Sequence, residues 1–218
     1  DDGEKNVLGG ALITGIGIVS GVRCMVIASD SAIKGGTITP MGMRKSLRAE
    51  AIALENRLPV VRLVESGGAN LMHVGEVFIE GGRGFANQAR LSAAGIPVIA
   101  VVHGPSTAGG AYMTGLSDYV IMVRGRGRAF LAGPPLLKAA TGEVADDETL
   151  GGADMHASVS GLAEYVAEDD AHGIGMARDL VASLGWQVRG EAWPDGPQPL
   201  QDPEGLLDLF APDLRTPV

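Results

Sequence analysis

Residues 96–112 read Ile96-Pro97-Val98-Ile99-Ala100-Val101-Val102-His103-Gly104-Pro105-Ser106-Thr107-Ala108-Gly109-Gly110-Ala111-Tyr112, a proline-started apolar run that empties into a glycine-rich corner. The run Val98–Val102 is largely β-branched and does not alternate with polar residues, which predicts a strand buried on both faces. Proline suits the start of such a strand because it need not donate to the ladder there. The same plan stands upstream. Leu58-Pro59-Val60-Val61-Arg62-Leu63-Val64-Glu65-Ser66-Gly67-Gly68-Ala69-Asn70 again passes from proline through an apolar run to a glycine pair. The two prolines lie 38 positions apart (97 − 59). Helices predicted over 43–56 and 84–94 precede the two strands, and a strand over 119–123 follows a helix starting near Gly110. This repetition predicts an α/β fold with a parallel sheet, one ββα-like unit stacked several times.

Outward from this centre, residues 11–18 and 22–28 are two β-rich stretches around Ser20-Gly21, which predicts a hairpin. In the 43–56 helix, Leu47, Ala51 and Leu54 share one face, with Arg44, Arg48 and Glu55 more exposed. A further helix is expected over 174–184, stopped by Gly185, and the Pro-, Asp- and Gly-rich segment 194–203 reads as a linker. The chain starts at Asp1 without Met and stops at Val218, so a piece of a longer protein is expected.

The 218 residues are 45% hydrophobic and 20% charged, enough for one domain (1–218) with its own core and no staples. A formal net charge of −9 argues against a nucleic-acid surface, which needs surplus Lys and Arg. Cys24 is the only cysteine, so no internal disulfide can form. The four histidines (His73, His103, His156, His172) lack metal-ligand spacing, and their simplest role is surface or satisfied core. No signal peptide is legible and no apolar run reaches membrane-spanning length, so a cytoplasmic location and no membrane partner are expected.

The chemistry is expected at the two corners. A backbone N–H approaches a ligand closely where no Cβ intervenes. The second corner also opens a helix, whose first amides lack intrahelical partners and lie at the positive end of the dipole. One amide from Gly67 or Gly68 and one from Gly109 or Gly110 would converge on one oxygen as an oxyanion hole. A lone glycine pair is most simply a tight turn; two at equivalent places in a repeated unit favour function.

The strings Thr107-Ala108-Gly109-Gly110-Ala111-Tyr112, Ser66-Gly67-Gly68-Ala69-Asn70-Leu71 and Lys34-Gly35-Gly36-Thr37 resemble the carboxyltransferase subunits of biotin-dependent acyl-CoA carboxylases. So do Asn56-Arg57-Leu58-Pro59, Gly133-Pro134-Pro135-Leu136, Lys138-Ala139-Ala140-Thr141-Gly142-Glu143, Leu150-Gly151-Gly152-Ala153-Asp154 and Pro212-Asp213-Leu214-Arg215, in the same order along the chain. The likeness is to the N-terminal domain of methylcrotonoyl-type β subunits, and the segment 72–84 departs from that pattern. The resemblance implies a crotonase-like ββα superhelix that binds an acyl-CoA. It also implies a C-terminal carboxyltransferase domain that this sequence does not contain, a biotin carboxyl carrier and biotin carboxylase subunit as partners, and a homo- or hetero-oligomer. CO2 would pass from carboxybiotin to the α-carbon (or vinylogous γ-carbon) of the acyl-CoA, whose enolate rests on the corner amides. Lys34 beside Gly35 and Gly36, together with Lys45, matches basic family positions for the CoA phosphates; Arg44 is a weaker candidate. Ala69, Ala108 and Ala111 would line the acyl site.

Four other readings compete. A crotonase-type hydratase needs a carboxylate soon after the glycine pair, where this chain has Ala111, Tyr112, Met113 and Thr114. A Clp-type serine peptidase needs its nucleophile immediately before the pair, where Ala108 stands. A biotin-dependent acyl-CoA decarboxylase, or a CoA-binding assembly module without catalysis, shares the same residues. Arg124-Gly125-Arg126-Gly127-Arg128 reads as a flexible basic turn. Glu65, Glu76 and Asp146-Asp147-Glu148 read as surface or capping groups.

Overall fold

In the computed structural model, which describes residues 8–187, the expected hairpin is β1 (Leu12–Val19) and β2 (Val22–Ser29), paired antiparallel. A turn of 3-10 helix at Lys34–Gly36 leads to α1 (Pro40–Asn56). This helix starts three residues before the predicted 43, for a capping reason. Thr39 Oγ1 accepts the Gly42 N–H at 3.1 Å, and Pro40 occupies the first helical position, where its missing N–H removes no bond.

β3 (Val60–Ser66), α2 (Val74–Ala93), β4 (Val98–Thr107), α3 (Gly109–Gly115) and β5 (Tyr119–Val123) follow. The predicted helix over 84–94 is the second half of α2. Its first half contains Gly75, Gly81 and Gly82, whose poor helix propensity hid it. The segment that departs from the methylcrotonoyl-type pattern is therefore helical, and it forms a wall of the site described below.

The remaining elements are β6 (Arg128–Phe130), α4 (Pro134–Thr141), α5 (Asp147–Gly151), α6 (Ala153–Met155), β7 (Tyr165–Ala167) and α7 (Asp170–Ser183). α7 begins four residues before the predicted 174, because Asp169 caps it by accepting the His172 N–H at 2.8 Å. Segment 194–203 and the block Pro212–Arg215 lie outside the described residues.

The main sheet runs β1-β2-β3-β4-β5-β7, parallel throughout except for the hairpin. Val60 pairs with Val98, so Pro59 and Pro97 enter neighbouring strands at the same height. Their carbonyls serve the ladder: Pro97 accepts from Val60 N–H and Pro59 from Met25 N–H, both at 2.9 Å. Inside this sheet the β-branched runs bury both faces. Val60, Val98, Ala49, Ala53 and Leu91 pack on the side of α1 and α2. Val61, Ile99, Val101, Ile121, Ala177 and Val181 pack on the side of α7.

The buried face of α1 carries Met43, Ser46, Ala49, Glu50 and Ala53 rather than the predicted Leu47, Ala51 and Leu54. Glu50 turns inward because Arg62 of β3 meets it. The two form a buried ion pair, and Ser46 Oγ and Asn87 Nδ2 also donate to the Glu50 carboxylate at 3.2 Å.

The run Arg124–Arg128 is not a free turn. Arg124 pairs with Asp154 at 3.0 Å and with Glu168, Arg126 with Asp170 at 2.9 Å, and Arg128 with Asp147 at 3.2 Å and Glu148 at 3.0 Å. These are exposed pairs, individually worth little, but they fix where β6 begins. β6 then pairs with the last three residues of β4, Pro105 to Thr107, and so holds the strand leading into the second glycine corner. Asp146 caps α5 through the Thr149 N–H at 2.8 Å, which holds its carboxyl below the usual range. Among the described residues no helix is long and apolar enough to cross a membrane, and no cluster of His, Cys, Asp or Glu could hold a metal ion.

Candidate active site

β3 and β4 are adjacent and parallel, so the corners that follow them lie side by side. Gly68 sits at φ +88°, and a side chain there would begin 3.2 Å from the Thr107 carbonyl and 3.7 Å from Ala108 Cβ. Only glycine combines that backbone angle with so close an approach. The Lys34–Gly36 turn forms a third side: a Cβ on Gly36 would collide with the Glu65 carbonyl, and one on Gly67 would begin 3.3 Å from Thr37 Cγ2.

The corners differ in which amides are free. Gly67 N–H donates to Gly35 O at 3.1 Å, and Gly68 N–H donates to Ser66 Oγ at 3.2 Å. Both expected donors of the first corner are thus engaged. Ala69 N–H has no acceptor among the described residues. Its orientation is set, because the trans peptide unit it shares with Gly68 O is planar, and that carbonyl accepts the Ile38 N–H at 2.8 Å. The Ala69 N–H therefore points away from Ile38.

At the second corner, Ala108 adopts φ +52°, ψ −116°, a conformation that favours glycine. Such strain persists only where its surroundings hold it, and it is concentrated at functional sites. Here the Ala108 N–H donates to Phe130 O of β6, and the Ala108 carbonyl accepts from Tyr112 N–H, both at 3.1 Å. The chain turns sharply, and the amides of Gly109, Gly110 and Ala111 are left without acceptors among the described residues. α3 has only seven residues, so unpaired N–H groups are the useful feature here and its dipole adds little.

Ala69, Ala108 and Gly109 share the wall of a cavity of about 350 Å³. The rest of the wall is Ile38, Met43, Val77, Phe78, Gly81, Phe85, Tyr112, Met113 and Leu131. It contains no carboxylate, no basic group and no histidine. Phe85 and Tyr112 meet edge to face at 5.0 Å between ring centres. Gly81 belongs to this wall for a spatial reason: a Cβ there would have only Met43 Cε nearby, at 3.8 Å. A helix interior that accepts glycine where a methyl fits gives up roughly 0.5–1 kcal/mol, and the space left open adds to the cavity. The α2 wall could have been anticipated only from the apolar residues Val77, Phe78 and Phe85 placed among those glycines.

Gly110 faces away from this cavity, toward a smaller void of about 70 Å³ lined also by Ser66, Arg62 and Thr114. Ala111 lines a separate open groove shared with Leu116, Phe130, Leu137 and His156. Tyr112 and Leu131 border both this groove and the 350 Å³ cavity. His156 is buried there, with one ring nitrogen 2.7 Å from Ala129 O and the other 2.7 Å from Ser160 Oγ. The carbonyl can only accept, so Nε2 carries a proton.

Among the basic residues, Lys34 is exposed beside the third loop. Lys45 lies on α1 and donates from Nζ to Leu12 O at 2.6 Å and Gly9 O at 3.4 Å, which ties the helix to the start of β1 and the turn before it. Arg44 is exposed and 3.8 Å from Glu76. Ser106 is fully buried with its hydroxyl 3.1 Å from Thr114 Oγ1, so it presents no nucleophile to the cavity. No acidic side chain lies within the cavity wall for a hydratase.

The carboxyl transferase domain family model matches residues 1–217. Over 215 residues the chain is 55% identical to a probable biotin-dependent acyl-coenzyme A carboxylase β2 subunit of Mycobacterium tuberculosis, covering 99% of this chain and 41% of that protein. The crystal structure of the Pseudomonas aeruginosa geranyl-CoA carboxylase β subunit matches at 60% identity and TM-score 0.78, over 85% of this chain and 35% of that one. The transcarboxylase 12S structure with methylmalonyl-coenzyme A bound matches at 30% identity and TM-score 0.78, over 82% and 34%. The chain spans about two fifths or less of the length of these relatives. It has their crotonase-like carboxyltransferase fold, and it belongs to the carboxyl transferase domain family, with similarity to the β subunits of biotin-dependent acyl-CoA carboxylases.

Proposed function

We propose that this chain is the acyl-CoA-binding half of a carboxyltransferase site, and that the amides of Ala69 and Gly109 hold the thioester oxygen as its enolate forms. The observation that supports this most directly is the pairing of two unsatisfied N–H groups, one from each corner, on the wall of one apolar cavity. An unpaired backbone amide in an apolar surrounding is costly unless a ligand satisfies it. Two aimed at one oxygen stabilise a developing negative charge, each worth on the order of 3 kcal/mol of barrier in a water-excluded site. The first-corner donor is thus moved from Gly67 or Gly68 to Ala69.

The apolar wall fits the hydrocarbon part of an acyl group, which Phe78, Phe85, Met43 and Met113 would pack around. Among the described residues the cavity wall offers no carboxylate, histidine or lysine, so on this reading the chain supplies charge stabilisation and orientation, and the base comes from outside it. Carboxybiotin on a partner carrier would supply both the CO2 and, once decarboxylated, that base. Tyr112 and Leu131, both exposed on the cavity wall, would meet such an approach, through a second carboxyltransferase domain in a homo- or hetero-oligomer. Lys34 would meet a CoA phosphate at the rim. The double tether of Lys45 leaves it at most one N–H for that purpose.

Calorimetry of acyl-CoAs against this chain, followed by carboxylation assays with the second domain and a biotinylated carrier, tests the reading. Binding that strengthens with apolar acyl size, and turnover only in the assembled system, is expected. Binding without turnover in any assembly would leave a CoA-binding module and refute the enzymatic reading.

A further inference from the structure

We infer that Ser66 is a positioning residue for this site, setting the Ala69 amide against the Gly109 amide by joining three loops at one buried point. The inference rests on the enolate-holding reading above. Ser66 closes β3 in register with Ser106 of β4, just past a bulge at Val64. It is 5% exposed. Its hydroxyl donates to Gly36 O at 2.9 Å, on the Lys34–Gly36 turn, and accepts the Gly68 N–H at 3.2 Å, on the first corner. On its other side, the place where a Gly110 side chain would begin is 3.7 Å from Ser66 Cβ and 3.3 Å from Ser106 Oγ. The Ser106 hydroxyl is itself bonded to Thr114 of α3.

Gly68 lies between two peptide planes, and a glycine leaves the angle between them free. Ile38 N–H holds the plane that carries the Ala69 N–H, and the Ser66 hydroxyl holds the plane before it. With both planes pinned, the direction of the Ala69 amide is fixed relative to the corner that abuts Ser66. Ser66 is not among the residues that line the larger cavity, so its effect on chemistry would pass through the loops it joins, above all through that amide.

The test compares Ser66→Ala, which removes both bonds, with Ser66→Thr, which keeps the hydroxyl and directs its methyl toward the small void that Ser66 lines. Kinetics are read in the enzyme assembled with its second domain and carrier. The carbonyl band of a 13C-labelled bound acyl-CoA is read by infrared spectroscopy. Ser66→Ala is expected to lower kcat about tenfold, the loss from one misaligned hydrogen bond, with KM within about threefold. Its carbonyl band should move back toward the free thioester, while Ser66→Thr stays near wild type in both. If Ser66→Ala does not fold, Ser66→Cys, which keeps the shape but weakens both bonds, reads the same split. A wild-type band shift that survives in the Ala or Cys variant, or a rise in KM with kcat unchanged, overturns the inference and leaves the enolate reading intact. An unshifted wild-type band overturns both.

Discussion

Replacing Glu50 by Ala would leave the Arg62 guanidinium charged and unpaired inside the protein, and this is the largest single-residue loss expected away from the site. Arg62 is 7% exposed and Glu50 1%. The carboxylate accepts from Arg62, Ser46 and Asn87, so it ties β3, α1 and α2 together. Among the described residues Arg62 Nε has no partner, and Glu50 is the acceptor recorded for its guanidinium. Removing one member of a buried pair costs about 3–5 kcal/mol, because an uncompensated charge remains. For a domain of this size each kcal/mol lowers Tm by about 2–4 °C, so a fall of roughly 6–20 °C is expected. Urea titrations followed by circular dichroism would measure the change. Glu50→Met combined with Arg62→Met removes both charges at similar volume and should recover most of the loss. A single-variant cost under about 1 kcal/mol, or a double variant no better than the single, would refute the view that an unpaired charge dominates.

Other outcomes follow from the same structure. Ala69→Pro deletes the proposed donor and no existing hydrogen bond, and should lower kcat about 10²–10³-fold in the assembled enzyme. Gly81→Leu fills part of the cavity and should weaken binding of long or branched acyl-CoAs at least about tenfold while sparing acetyl-CoA, as read by calorimetry. Cys24 is fully buried, and desolvation pushes its thiol up to about 11. It should resist thiol reagents at pH 8 until the protein unfolds. Its folded value lies above the unfolded one, so its contribution to stability is complete below about pH 9 and is lost as pH rises toward 11. Denaturant midpoints measured across that window should fall.

The parallel core was legible because Val60–Val64, interrupted only by Arg62, and Val98–Val102 obey a local rule: strands buried on both faces are nearly all apolar and start where proline is harmless. The corners were legible for a related reason, since glycine pairs at equivalent points of a repeat mark close backbone approach. What the sequence could not show was which N–H each corner leaves free. That depends on Gly35, Ser66 and Ile38, residues that reach the first corner only through the sheet. The buried face of α1 was misread because Glu50 and Ser46 look like solvent-facing residues until Arg62 arrives from another strand. The first half of α2 was obscured by glycines that weaken the helical signal where the cavity needs room. The strain at Ala108 left no trace in composition, because it is imposed by the pairing of β4 with β6 on one side and by α3 on the other.

The central claim is that the Ala69 and Gly109 amides polarise the thioester carbonyl. It is tested most directly by the infrared carbonyl band of a bound acyl-CoA labelled with 13C at the thioester carbon. The account predicts a clear shift to lower frequency on binding, most of which disappears in Ala69→Pro. A bound thioester that absorbs where the free one does, or a shift indifferent to Ala69→Pro, would contradict it.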